Sequence, residues 1–212
     1  MHRQTTPLRR AYTIWAPFYD SLLGHGIINA ARKRSLERLS DWSDKKVLLM
    51  GIGSGLDIPL LPQGADYTGI DITPAMLERA RQCAKRHART IHLLPGNAMQ
   101  LAFDDAEFDR VIMHLILAVV PEPERALCEA VRVLKPGGEI LILDKFLRPG
   151  QKAPVRRALN LLTRNLATRT DVVFEDILAP CGGVTVQSNH PALFRGWFRH
   201  ILLRKDLADV SG

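Results

Sequence analysis

Apolar and polar positions change rhythm three times along the chain. Over residues 1–45, apolar side chains recur at helical spacing among arginines and lysines, which predicts a helical, amphipathic cap. Over residues 46–145, short apolar runs alternate with helical patterns. Lys46–Met50, Asp66–Ile70, Thr90–Leu94, Phe108–Met113 and Glu139–Leu143 read as five strands. Pro74 opens a helix behind Thr73 as its N-cap. Met76, Leu77, Ala80, Cys83 and Ala84 then recur at helical spacing. Glu122–Leu134 reads as a second helix, with Leu127, Val131 and Leu134 on one face, and Lys135-Pro136-Gly137-Gly138 as a turn. Residues 146–212 begin basic and helical, then give two strand-like runs, Gly183–Gln187 and Phe198–Arg204. No long helix separates those two, so they are expected to pair antiparallel at the sheet edge. Together these elements predict a single α/β domain over 1–212, with a seven-stranded, mostly parallel sheet covered by helices on both faces.

Composition narrows this picture. With 212 residues, 46% hydrophobic and 24% charged, the chain can bury a full core. No apolar run reaches eighteen residues, so no transmembrane helix is expected. The basic start MHRQTTPLRR lacks a following apolar core and cleavage site, so no signal peptide is expected. Cys83, Cys128 and Cys181 form no CxxC pair. They are therefore expected to be free thiols rather than a zinc site or disulfide frame, in a cytoplasmic protein. The net charge of +7 suits an anionic partner, either nucleic acid or an anionic membrane surface, or serves solubility alone.

The candidate chemistry begins at Gly51-Ile52-Gly53-Ser54-Gly55, after the first strand and before a segment expected to be helical. Glycines let a backbone turn sharply and approach a ligand closely, and a helix start would offer free N–H groups to an anion. Asp71 ends the second strand 20 residues after Gly51. A carboxylate there can accept both hydroxyls of a ribose. The loop reads GxGxG, not the GxGxxG of a dinucleotide site, which favours S-adenosylmethionine.

On these residues the chain resembles the class I S-adenosylmethionine-dependent methyltransferases, from about Tyr12 to Leu207. GIGSG resembles their cofactor loop, TGIDITPAMLERAR their second-strand motif, GNAMQLAF the third and RVLKPGGEILILD the fifth. The resemblance implies a Rossmann-like fold with a helical N-terminal cap. It implies S-adenosylmethionine bound by Gly51, Gly53, Ser54, Gly55, Asp71, Ile72, Met76, Asn97, Ala98, Met99, His114 and Tyr19, with S-adenosylhomocysteine as product. RRAYTIWAPFYD, GSGLDIPLLP and LAVVPEPERAL resemble the bacterial phosphatidylethanolamine N-methyltransferases, relatives of the quinone C-methyltransferases. That implies methylation of phosphatidylethanolamine to phosphatidylcholine by an enzyme peripheral on the inner face of the membrane. The family usually carries Glu or Asp where this chain has Leu49; Asp57 is a substitute only if the chain turns it inward.

Methyl transfer from a sulfonium is an in-line displacement that needs alignment and desolvation more than acid catalysis. Tyr19 is the expected cap residue closing over the cofactor or orienting the amine, with Tyr12 and Phe18 packing beside it. His114 either accepts the amine proton or is hydrogen-bonded at the strand end. His25 and His190 are weaker candidates. Asp20 is expected to cap a helix, and Asp104, Asp105 and Glu107 to form a solvated turn. Two basic, apolar stretches are expected to face lipid. One sets Arg9, Arg10, Arg32, Lys33, Arg34 and Arg38 around Trp15, Phe18, Leu22, Leu23, Ile27 and Ile28. The other sets Arg148, Lys152, Arg156, Arg157, Arg164 and Arg169 around Leu159, Leu161, Leu162 and Leu166. The alternatives are a quinone-type or other small-molecule methyltransferase, for which His114 would be the base, and a non-catalytic cofactor-binding module. Nucleic acid is not expected as substrate: no NPPY-like motif follows the fourth strand, and few aromatics stand among the arginines.

Overall fold

The computed structural model describes residues 25–147 and 172–207. Tyr12, Phe18, Tyr19, Asp20, the members of the N-terminal lipid-facing stretch up to Leu23, and the whole second basic stretch lie outside them. The described elements are α1 (His25–Leu36), β1 (Lys46–Met50), β2 (Asp66–Asp71), α2 (Pro74–Arg86), β3 (His92–Pro95) and β4 (Phe108–His114). They continue with α3 (Pro123–Val133), β5 (Leu134–Lys145), α4 (Phe174–Leu178), β6 (Val184–Leu193) and β7 (Phe198–Lys205).

The strands form one sheet in the order β3-β2-β1-β4-β5-β7-β6. β1, β2, β3, β4 and β5 pair in parallel, while β7 runs antiparallel between β5 and the rim strand β6. The chain reverses from β3 to β4 across the sheet, beside the C-terminal end of β1. That crevice is where open α/β sheets take ligands.

Period-two alternation builds two cores from continuous apolar strands. Leu48, Met50, Val111, Met113, Ile140 and Ile142 face α3 and α4. Val47, Leu49, Ile112 and Leu141 face α2 and the Leu36–Trp42 region. Leu49 is 1% exposed within that second core, so β1 ends in hydrocarbon where a carboxylate was expected.

Element boundaries depart from the sequence expectation in several places: β3 starts two residues late, at His92, and β6 runs on to Leu193 instead of Gln187. The segment after the glycine loop is only a short 3-10 turn, Ile58–Leu60. Pro59 fits the first turn, but Pro62 follows two residues past its end and stops the run, so no full helix follows the loop. Thr73 precedes α2 in extended conformation without a side-chain cap bond. Finally, β5 begins at Leu134 and absorbs the expected KPGG turn as a register shift opposite Phe108–Arg110. A Cβ at Gly138 would lie 2.8 Å from the Asp109 carbonyl oxygen, so the bend is possible only with glycine there.

The cysteine expectation is overturned for two of three. Cys128 on α3 and Cys181 after α4 form a disulfide across 53 residues. Free thiols therefore no longer speak for a compartment. Cys83 is free; its thiol, pushed up by burial, donates to the Gly55 carbonyl at 3.3 Å. No helix among the described residues is long and apolar enough to cross a membrane.

Candidate active site

The glycine loop crosses the C-terminal ends of β1 and β2. Gly51, Gly53 and Gly55 all have positive φ. Their roles differ. A Cβ at Gly55 would strike Ile58 at 2.7 Å and the α2 backbone at Ala80 at 3.1 Å, so that glycine is required by packing. A Cβ at Gly53 would meet nothing nearer than the Gly51 carbonyl oxygen at 4.0 Å. Space above Gly53 is therefore open, as a ligand approaching the backbone requires. Ser54 is half-buried beside it.

Asp71 is 8% exposed and is held by two backbone donors. The Gly53 N–H donates to Oδ2 at 2.9 Å and the Thr73 N–H to Oδ1 at 2.8 Å. Burial raises its pKa, and the Thr73 and Gly53 N–H groups, with the Thr73 side chain, counter that only in part. No cation is among its bonded partners, and the carboxylate keeps acceptor capacity for a further donor. A ribose hydroxyl meets that need. Next to this carboxylate, Ile72 is 49% exposed and Leu94 44% exposed, apolar surfaces suited to an adenine face. Asn97 accepts the Met99 N–H at 3.0 Å through Oδ1, which leaves its amide N–H groups for a base edge. Ala98 and Met76 are buried beneath, and Met99 is half-buried. The residues present thus fit the ribose and base of S-adenosylmethionine.

His114 ends β4 in a closed network instead of open space. Its Nδ1 lies 2.8 Å from Asp57 Oδ1 and its Nε2 3.0 Å from Ser35 Oγ. The second Asp57 oxygen accepts from Arg32 Nη1 at 2.5 Å. An ionised carboxylate only accepts, so Nδ1 donates to it. Ser35 and Arg32 both come from α1, so the network bolts the cap helix to β4 and to the chain just past the glycine loop. Burial alone would raise the pKa of Asp57, but the charges of Arg32 and His114 outweigh it and hold the carboxyl well below its usual range. Asp57 does turn inward, at 4% exposure, yet both its oxygens are engaged. His114 therefore stands as a hydrogen-bonded strand-end histidine. As a direct base for the acceptor it has no unoccupied nitrogen.

Sequence reasoning passed over Ser35, which carries no motif, and it expected Arg32 to face lipid, whereas Arg32 is 7% exposed and pairs with Asp57. Asp144, at the end of β5, is fully buried and accepts from the Lys145 N–H at 2.8 Å and the Ala118 N–H at 3.2 Å. Burial pushes its pKa up to about 6 despite those donors. His200 on β7 is also buried, and desolvation pushes it down to about 4; neutral, it donates from Nε2 to the Ala31 carbonyl at 2.9 Å. His190 is exposed on the rim strand β6, away from the glycine loop. Among the described residues, no cluster of His, Cys, Asp and Glu suits a metal ion.

Comparison with known proteins agrees with this geometry. A family model described as a methyltransferase domain matches residues 48–142. Over 173 residues the chain is 34% identical to a phosphatidylethanolamine N-methyltransferase of Cereibacter sphaeroides, covering 80% of this chain and 84% of that one. It is 33% identical over 176 residues to a demethylmenaquinone methyltransferase of Tropheryma whipplei, covering 78% and 72%. A solved S-adenosylmethionine-dependent methyltransferase of Thermotoga maritima superposes with a TM-score of 0.68 at 21% identity, covering 94% of this chain and all of that one. At that identity the likeness speaks for the fold.

Proposed function

The chain belongs to the S-adenosylmethionine-dependent methyltransferases, and from that premise we propose that its acceptor is the amine of phosphatidylethanolamine and of its methylated intermediates. The end product would be phosphatidylcholine. The observation that carries this reading is the closed bonding of His114. Carbon methylation of a quinone ring needs a base beside the methyl position, and His114, the histidine expected to serve there, has both ring nitrogens engaged by Asp57 and Ser35. An amine that arrives neutral needs no such base; its proton passes to solvent. The 34% identity to a phosphatidylethanolamine N-methyltransferase over 84% of its length supports the same reading.

When bound, S-adenosylmethionine supplies an electrophilic methyl group whose departure leaves a neutral thioether. The chain's own residues align and exclude water. Asp71 holds the ribose hydroxyls, and Gly53 lets the backbone come close. Ile72 and Leu94 cover the base. The Arg32–Asp57–His114–Ser35 network fixes α1 over the methyl side of the site. Tyr19, which lies outside the described residues, is the residue that the family resemblance assigns to orienting the amine.

The test is labelled-methyl transfer to phosphatidylethanolamine in detergent micelles, run beside a demethylated quinone in the same micelles. The proposal predicts label in the phospholipid and little in the quinone. The reverse pattern would assign the chain to carbon methylation, the reading that the 33% identity to a demethylmenaquinone methyltransferase supports.

A further inference from the structure

The β6–β7 hairpin turns at the edge of the sheet that carries the active site. Leu193 pairs with Phe198, and Phe198 pairs with Lys145 at the C-terminal end of β5. The turn itself, Phe194–Gly196, therefore stands beyond the same strand ends as the glycine loop. It is aromatic. Phe194 lies 5.9 Å from Phe198 and 6.4 Å from Trp197 between ring centroids, and Trp197 lies 5.8 Å from Phe198. The base of the turn packs on α1 in a small satellite core that joins Ile28, Ala31, Leu143, Leu193 and Trp197.

Two features at this edge are not accounted for by its internal packing. Phe194 is 51% exposed, and Ile27 on the adjoining turn of α1 is 53% exposed. Phe194 also sits at φ 49, a left-handed conformation that bulky residues rarely hold. Glycine would relieve that strain and remove the exposed ring together. A phenylalanine kept there against both strain and water points to a surface that takes up the ring. The charge around it identifies the surface. From Val184 to Lys205 there is no Asp or Glu, and α1 carries Arg32, Lys33 and Arg34 with no Asp or Glu. Asp57 neutralises Arg32, Glu37 pairs with Lys33, and Glu175 pairs with Arg199. Arg34, together with the absence of acidic residues from Val184 to Lys205, leaves this edge basic. Exposed aromatic and aliphatic side chains amid cations fit the headgroup boundary of an anionic bilayer.

We propose that the β6–β7 tip, with the first turn of α1, is a membrane-docking surface that inserts Phe194 into an anionic lipid surface and turns the active-site edge toward it. The choice of a bilayer as occupant rests on the lipid-substrate reading above. Binding is therefore tested on vesicles that contain no phosphatidylethanolamine: phosphatidylglycerol mixed with phosphatidylcholine, against phosphatidylcholine alone. The full-length protein should float with the anionic vesicles and come off in high salt. Phe194→Gly should lower vesicle partition about tenfold, the loss expected for one apolar ring no longer inserted, while Phe194→Trp keeps it. The Gly variant should melt no lower than wild type and bind cofactor unchanged, which a merely structural phenylalanine would not allow. Equal partition of wild type and Phe194→Gly would overturn the proposal, as would wild type that ignores anionic vesicles. Loss of self-association in the variant, with vesicle binding intact, would also overturn it and assign the tip to a second copy of the chain. Vesicle binding without methylation of micellar phosphatidylethanolamine would instead remove the acceptor assignment and leave the docking surface standing.

Discussion

Replacing Asp57 with asparagine keeps the shape of the side chain and removes a negative charge that two neighbours depend on. Asp57 and Arg32 keep only 6% and 9% of their side-chain surface in water, and His114 keeps 1%. Solvent therefore cannot take over the lost contacts. The contacts are charge-assisted, at 2.5 Å from Arg32 and 2.8 Å from His114. Breaking a buried pair by removing one partner costs about 3–5 kcal/mol, because the other charge is left buried. For a domain of this size that lowers Tm by roughly 10 °C. The acid limb gives a second reading. Asp57 has a folded pKa well below its usual value, because Arg32 and His114 outweigh the desolvation that would raise it. Its contribution is thus fully present above the unfolded value of about 3.9 and is lost as pH falls below it. Urea unfolding followed by circular dichroism from pH 3 to pH 7 measures both. Wild type should lose this contribution below about pH 4, and Asp57→Asn should lack that slope. The double variant Asp57→Leu with Arg32→Met should regain part of the loss, since a buried apolar pair needs no partner charge, while the His114 Nδ1–H stays unpaired. A cost under about 1 kcal/mol for Asp57→Asn, or a double variant no better than the single, would refute the buried-network reasoning.

Asp71→Ala should weaken cofactor binding by about 10- to 100-fold through loss of charge-assisted bonds to the ribose; titration calorimetry checks it, and unchanged affinity would remove the ribose assignment. Cys128→Ser with Cys181→Ser should lower stability by about 4 kcal/mol, from opening a cross-link that spans 53 residues. Thiol titration of the unreduced, denatured protein should find Cys83 alone. Asp144 has its pKa pushed up to about 6 by burial, so its stabilising effect is full below about pH 3.9 and is lost as pH rises through 6. Asp144→Asn should remove a fall of about 3 kcal/mol between pH 4 and 6.5, and identical slopes for variant and wild type would contradict it.

What was legible in the sequence was what local pattern dictates. The expected and observed bounds agree at Lys46–Met50, and β4 and β7 each extend their expected runs by a single residue. Continuous apolar runs bounded by Asp or Gly leave a strand little freedom of register. The glycine loop and Asp71 were legible because a turn and a strand end are fixed by a few adjacent residues. The disulfide was not: Cys128 and Cys181 meet only because α4 packs on α3, a tertiary fact with no spacing to announce it. The Arg32–Asp57–His114–Ser35 network was hidden for the same reason. Its members are 25 to 79 residues apart in their contacts, and only the fold brings the strand end, the loop and the cap helix together. The short 3-10 turn after the loop was expected to be helical, but Pro62 stops the run two residues past Leu60.

The most direct measurement of the central claim is product analysis after purified protein and S-adenosylmethionine are incubated with vesicles of phosphatidylethanolamine and phosphatidylglycerol. Mass spectrometry of the extracted lipid should find mono-, di- and trimethylated phosphatidylethanolamine in wild type and none with Asp71→Ala. Unmodified phosphatidylethanolamine, from protein that binds S-adenosylmethionine in calorimetry, would contradict the assignment of a phospholipid amine as the methyl acceptor.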